Sequence, residues 1–416
     1  MERFVIEGGH ILKGEVSNSG AKNSALPLLF STLLADGEHV FHNVPMLKDI
    51  ESTGLLLQGL GCQVERKEHT LKVKVGRPQS LEAHYDIVRK MRASILCLGP
   101  LVARYGEAHV SLPGGCAIGT RPIDLHLESI KSLGAAIEVH QGYVVAKCKR
   151  LQGAPILFPK VTVGGTENAL MAAVLAEGST RIENAAKEPE IVDLAEYLNK
   201  MGAKIEGAGT SVIYVQGVDR LRPAEHSVIP DRIEAATLLI AGAITRGDVI
   251  LRKANPNHFQ AVLNAMKESG IPVSVGSDWV QVKAAKTWKG VDVTTAPHPG
   301  FPTDAQAQFM SLMIQAEGLS VITENIFENR FMHVQELARL NADIRTNGNV
   351  AIVHGTPGRL EGAPVMATDL RASASLVIAG LSAQGETTVN RIYHLDRGYE
   401  QLELKLQSLG GRVKRV

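Results

Sequence analysis

Cys116 stands in the run Leu112-Pro-Gly-Gly-Cys116-Ala-Ile-Gly119-Thr-Arg121-Pro122. Three glycines and two prolines exclude regular structure and predict an exposed loop. A cysteine there is not a core filler, and the nearby Arg121 favours its reactive thiolate. The competing reading is an unreactive thiol in a surface turn, and the loop alone leaves both open. Cations also occur where structure does not ask for them. Lys22, Arg92 and Arg371 stand at or near predicted helix starts, where a positive charge opposes the helix dipole and a ligand anion would compensate it. Arg330, in Glu328-Asn-Arg-Phe331, and Arg397, in Asp396-Arg-Gly398, lie at turns beside acids. For each of those two alone, surface ion pairing worth about 0–1 kcal/mol is the better reading. Asp231, Asp304 and Asp369 open apolar helices and read as N-caps. Helix N-termini aimed at a shared centre would make an anion site.

The elements that must position these residues repeat. Ala-rich apolar segments end at Gly37, Gly106, Gly178, Gly247, Gly318 and Gly385, each followed by a short β-like run. They read as buried helices with a left-handed glycine at the C-terminus. A second series of amphipathic helices ends at Gly61, Gly134, Gly202, Gly270, Asn341 and Gly410. Asparagine also tolerates the left-handed conformation. Both series recur roughly every 70 residues. Each unit should hold two helices and about four short strands, giving an α/β fold. Six units exceed one ordinary core, so two domains of three units are expected, with a boundary near Val228-Ile229-Pro230 and a cleft between them.

The 416 residues carry 44 basic and 43 acidic side chains, a formal net charge of +1. That balance argues against a nucleic-acid partner. The start of the sequence is not a signal peptide, and the apolar runs are too short to span a bilayer, so a cytosolic protein with reduced cysteines and no membrane insertion is expected. Motifs for a metal, a P-loop, a dinucleotide fingerprint or a nucleophile elbow are missing from the sequence, and no cofactor is expected. The 14 histidines read as surface or core residues.

Six ordered motifs, Asn18-Ser-Gly-Ala-Lys22-Asn23-Ser24-Ala25-Leu26-Pro27, Met91-Arg92-Ala93-Ser94, Leu112-Pro-Gly-Gly-Cys116, Gly300-Phe-Pro-Thr-Asp304, Glu328-Asn-Arg-Phe331 and Thr368-Asp-Leu-Arg371-Ala-Ser, resemble the UDP-N-acetylglucosamine 1-carboxyvinyltransferases, a family of enolpyruvyl transferases. The resemblance runs the length of the chain. It implies two inside-out α/β barrels of pseudo-threefold symmetry, helices inside and sheets outside. The first would span 22–229 and carry loop 112–121 as a lid; the second would combine 1–21 with 230–416. It implies phosphoenolpyruvate and UDP-N-acetylglucosamine as substrates, and no metal. Cys116 would be the general acid toward phosphoenolpyruvate, and its presence implies alkylation by fosfomycin. Lys22, Asn23, Arg121 and Arg397 would meet phosphoenolpyruvate, with Arg92 lining the cleft. Pro122, Ile123, Asp124 and Leu125, following Arg121, would lie along the uracil. Lys160, Val161, Thr162 and Val163 would hold the diphosphate. Asp304 would accept the sugar hydroxyl proton and the Ile326 backbone would hold the nucleotide-sugar. Arg330, Asp369 and Arg371 belong to the cleft without a finer role. The stretch Gly164-Gly165-Thr166-Glu167-Asn168 departs from the commonest family pattern. A sister enzyme acting on shikimate 3-phosphate would lack the Pro-Gly-Gly-Cys116 loop. A binding-only paralogue would not need Cys116, Asp304, Lys22 and Arg397 together.

Overall fold

The computed structural model describes residues 2–416 except 79, 89, 90, 113–122 and 284. Cys116, Arg121 and Pro122 therefore lie outside the described residues.

The described strands form six sheets of four. All six share one plan, in which an edge strand runs parallel to its neighbour and two antiparallel strands follow. In one of them Pro155–Leu157 runs parallel to Ser179–Glu183, which pairs antiparallel with Val212–Gln216, which in turn pairs with Lys204–Glu206. Along Val212–Gln216 the side chains alternate, with Ile213 and Val215 buried and Tyr214 and Gln216 exposed. One face of the sheet thus meets core and the other water. Three sheets are completed from a distance. Arg3–Glu7 lies between Glu386–Asn390 and Arg412–Arg415. Lys13–Ser17 runs parallel to Asp248–Arg252, and Glu225–Ser227 to Gly37–His42.

The helices divide as their sequences require. Arg232–Ile244 buries every residue after the first, and Leu370–Ser382 buries 371 through 381. A helix apolar all round belongs inside. These two and Thr303–Ile314 pack on one another pairwise. The amphipathic series, such as Pro189–Lys200, buries one face and exposes the other.

The second series ends as its glycines predict. Gly61, Gly134, Gly202, Gly270, Asn341 and Gly410 all have positive φ, between 67° and 106°. After each, the next N–H reaches back five residues, as Ala203 to the Leu198 carbonyl and Ala342 to that of Leu337. That is the Schellman closure, made six times. The first series differs from expectation. Only Gly106 directly caps its helix, Leu98–Tyr105. The other helices stop earlier, and the glycines mark the entry to the following strand. In the fourth copy Arg246 takes the left-handed turn, at φ 55°. Gly247 is needed there for another reason: a Cβ would sit 1.9 Å from the Leu12 carbonyl oxygen.

The chain divides into two compact units. One comprises the chain through Ser19 with Pro230–Val416, the other the described residues from Gly20 to Ile229. Each has its own hydrophobic core and three of the six sheets.

Candidate active site

In the unit containing Pro230–Val416, three buried helices bring polar residues together at their N-termini. Asp231 and Asp369 are N-caps: Asp231 accepts from the N–H groups of Ile233 and Glu234, and Asp369 from those of Arg371 and Ala372. Asp304 is not. It is the second residue of Thr303–Ile314, whose cap position is Pro302 with no side-chain cap. Its carboxylate instead accepts from Arg330 Nη2 at 2.8 Å and meets Arg371 Nη2 at 3.5 Å. Burial alone would push this carboxyl up. Arg371 and Arg330, with Arg232 beyond them, outweigh it and hold the carboxyl far below the usual range.

The reading of Arg330 as a surface cation is overturned. Its side chain is 3% exposed, against 27% for Asp304. Two covered guanidiniums thus hold a carboxylate that solvent still reaches. Phe327 packs under the Arg330 guanidinium, 5.2 Å from ring centroid to Cζ. Asp396, the acid beside Arg397, pairs with Arg415 instead. Arg397 ends the short helix Ile392–Arg397. Ile326 is partly exposed, and its N–H is taken by Glu324 Oε1 at 2.8 Å, which leaves the carbonyl for any ligand.

Three residues here were not singled out from the sequence. Tyr399, Thr237 and Gln308 are buried and share hydrogen bonds around Arg371. The available signal was a polar residue inside an apolar helix: Thr237 and Gln308 are both of that kind.

The other unit holds a second group. Lys22 opens the helix Lys22–Ser31 and pairs with Asp49 at 3.2 Å, both side chains largely covered. Asn23 follows, half-buried. Ser24 donates to Asp193, whose other oxygen binds His226 at 2.8 Å. Arg92 opens the short helix Arg92–Cys97. Burial and then the Arg92 charge push His126 down to about 4, so its ring is neutral. That ring bonds Asn168 at 2.9 Å, and a Cβ on Gly164 would come within 2.8 Å of it. The glycine therefore lets the helix Val163–Ala173 approach the histidine. Thr162 caps the helix Val163–Ala173 by accepting from Gly165 N–H. Lys160 is exposed, Val161 half-buried and Val163 exposed, so this helix start offers polar groups and one cation to solvent. Ile123 and Asp124 are accessible, whereas Leu125 is buried in the core.

A carboxylate held by two guanidiniums at converging helix N-termini has the chemistry to accept a proton beside a bound anion. The chain belongs to the family of EPSP synthase (3-phosphoshikimate 1-carboxyvinyltransferase), whose model matches residues 6–406. Within that family, relatives more than half identical to it carry a different acceptor in their name. The UDP-N-acetylglucosamine 1-carboxyvinyltransferase of Bdellovibrio bacteriovorus is 63% identical, covering 99% of this chain and 100% of that protein. That of Myxococcus xanthus is 55% identical over 100% of this chain and 99% of its own. The enolpyruvyl transferase NikO from Streptomyces tendae has the same fold, with a TM-score of 0.89 at 25% identity over 100% and 99% of the two chains. EPSP synthase from Acinetobacter baumannii matches at 0.77 and 20% identity over 100% of both, a likeness of fold.

Proposed function

We propose that this protein transfers the enolpyruvyl group of phosphoenolpyruvate to the 3-hydroxyl of UDP-N-acetylglucosamine and releases phosphate, the first committed step of peptidoglycan precursor synthesis. The carrying observation is Asp304, an ionised and solvent-reachable carboxylate between Arg330 and Arg371. The 63% identity to a full-length enzyme of that name supports the acceptor.

In this reading Cys116 protonates the methylene carbon of phosphoenolpyruvate, which makes the neighbouring carbon electrophilic. The sugar oxygen adds there as its proton passes to Asp304. Loss of a proton from the former methylene carbon and departure of phosphate then restore the double bond. Acid and base act on different atoms, so both must be placed before reaction begins. Lys22, Asn23, Arg121 and Arg397 hold the phosphate and carboxylate of phosphoenolpyruvate, guanidinium forks suiting such oxyanions, and Arg92 lines the cleft. Residues 121–125 and 160–163 and the Ile326 carbonyl hold the nucleotide-sugar. Arg330, Asp369 and Arg371 shape and charge the surroundings of Asp304. The working domains are 22–229, and 1–21 with 230–416, each a barrel of three units with its helices inside, and the protein acts in the cytoplasm.

The test is phosphate release from phosphoenolpyruvate with UDP-N-acetylglucosamine, beside shikimate 3-phosphate, for wild type and Cys116→Ser. Release with the nucleotide-sugar alone, lost in the variant, is expected. Release with shikimate 3-phosphate alone would move the acceptor to that of the family's namesake. No release with either would leave a binding protein. In the presence of UDP-N-acetylglucosamine, fosfomycin should add one adduct to wild type and none to Cys116→Ser. Unmodified, fully active wild type would refute the role of Cys116.

A further inference from the structure

Tyr399 lies at the centre of a closed set of hydrogen bonds that the reaction as described does not use. Its phenolic oxygen is 2.9 Å from Thr237 Oγ1, 3.0 Å from Gln308 Nε2 and 3.2 Å from Arg371 Nη1. The proton positions follow from the neighbours. Thr237 donates its own proton to the Ile233 carbonyl, 2.7 Å away. It can then only accept from Tyr399. The phenol therefore donates to Thr237 and accepts from both Gln308 and Arg371. Gln308 in turn holds the Asp304 carbonyl at 2.9 Å. Tyr399, Thr237 and Gln308 are 2%, 1% and 0% exposed, so none meets a ligand directly. Between them they join the three helices Arg232–Ile244, Thr303–Ile314 and Leu370–Ser382 through side chains alone.

Arg371 has two ends to its fork. One nitrogen rests on Tyr399 and the other lies 3.5 Å from Asp304. The Arg371 guanidinium also lies over the Tyr399 ring, with Cζ 5.5 Å from its centroid. A planar fork gripped at one nitrogen cannot turn about its Nε–Cζ bond without breaking that hydrogen bond. We propose that Tyr399 is a positioning residue, which through its phenolic oxygen locks the Arg371 guanidinium in the orientation that faces Asp304. The reaction would feel this as the placement of Asp304 against the sugar hydroxyl. That part rests on the enolpyruvyl transfer reading; the locking of Arg371 does not.

Two measurements separate them. Arginine labelled with nitrogen-15 reports guanidinium rotation by NMR without any substrate, and Arg371→Lys assigns the signal by removing it. Wild type should show separate, slowly exchanging signals from the two terminal nitrogens of Arg371. In Tyr399→Phe, which keeps the ring and loses the oxygen, they should merge. In turnover, kcat of that variant should fall about tenfold, the scale of a small misplacement of a reacting group. KM for UDP-N-acetylglucosamine should stay within about twofold, since uniform binding is untouched. If Tyr399→Phe does not fold, Thr237→Val removes the acceptor that orients the phenol. It should show the same direction at smaller size. Unmerged signals with unchanged kcat would overturn the proposal while leaving the function intact. Merged signals in Tyr399→Phe and separate ones in a wild type that turns over neither acceptor would retain the lock and remove the reaction.

Discussion

Asp304 is the residue where sequence and structure part most usefully. An aspartate opening an apolar helix reads as a cap, and for Asp231 and Asp369 that holds. For Asp304 it fails because Pro302 occupies the cap position and two guanidiniums claim the carboxylate. Nothing local to Thr303-Asp304 signals partners 26 and 67 residues away. Asp304→Asn should lower the rate of phosphate release at least about 100-fold, as loss of a proton acceptor does. It should also cost on the order of 2 kcal/mol at neutral pH, because Arg330 and Arg371 keep their charges in a covered site while part of the loss is screened by solvent. The direction with pH is fixed by the depressed folded-state carboxyl. Its stabilising share is full above the unfolded value, about 4, and falls away below it. Urea unfolding at pH 7 and pH 3 should therefore show the gap between wild type and Asp304→Asn narrowing in acid. A gap of constant size would remove the charge from the explanation.

At the scale of the element, the period was legible and its punctuation only half so. The second helix series was readable because a left-handed residue has few alternatives to glycine, and Asn341 is one of them. The first series misled because a glycine after an apolar helix has several causes. Gly106 caps, Gly37 begins a strand and Gly247 makes room for a crossing backbone. The pairing of polar residues across the buried helices was not legible, since contacts such as Gln308 to Thr237 depend on packing angle as well as spacing. The left-handed sites lend themselves to a matched pair of substitutions. A Cβ on Gly202 would meet nothing within 4 Å, so Gly202→Ala tests backbone conformation alone. It should cost about 1–2 kcal/mol in denaturant unfolding. Asn341→Gly, at φ 67°, should change stability by less than about 1 kcal/mol. Equal effects of the two would deny that the helix ends set these residues.

Across the whole molecule, buried ionisable groups act on stability with opposite signs. His39 and His126 belong to the unit from Gly20 to Ile229 and His333 to the other, and burial pushes each down to about 4. Such rings stay neutral in the fold and take up protons on unfolding. Stability is thus undiminished above about 6.5 and falls as pH drops from there toward 4, on the order of 2 kcal/mol for each ring by pH 5. In the unit from Gly20 to Ile229 burial, then Glu190 and Glu188, push the Glu167 carboxyl up to about 8, so it gains stability as pH falls through the same range and offsets the histidines. Urea unfolding of Glu167→Gln, followed by far-ultraviolet circular dichroism, should therefore shift to lower urea between pH 7.5 and pH 5 by more than that of wild type. Curves that coincide and do not move would exclude the histidines. The strand Arg3–Glu7 closes a sheet with Glu386–Asn390 and Arg412–Arg415. On the ribosome it emerges long before either partner exists, and at about 5–20 residues per second it waits on the order of 20–80 seconds. Everything from Gly20 to Ile229 can be complete by then. While the residues from Pro230 onward are being made, the chain thus carries one finished half and one β-strand still seeking its neighbours, an interval in which a chaperone has something to hold.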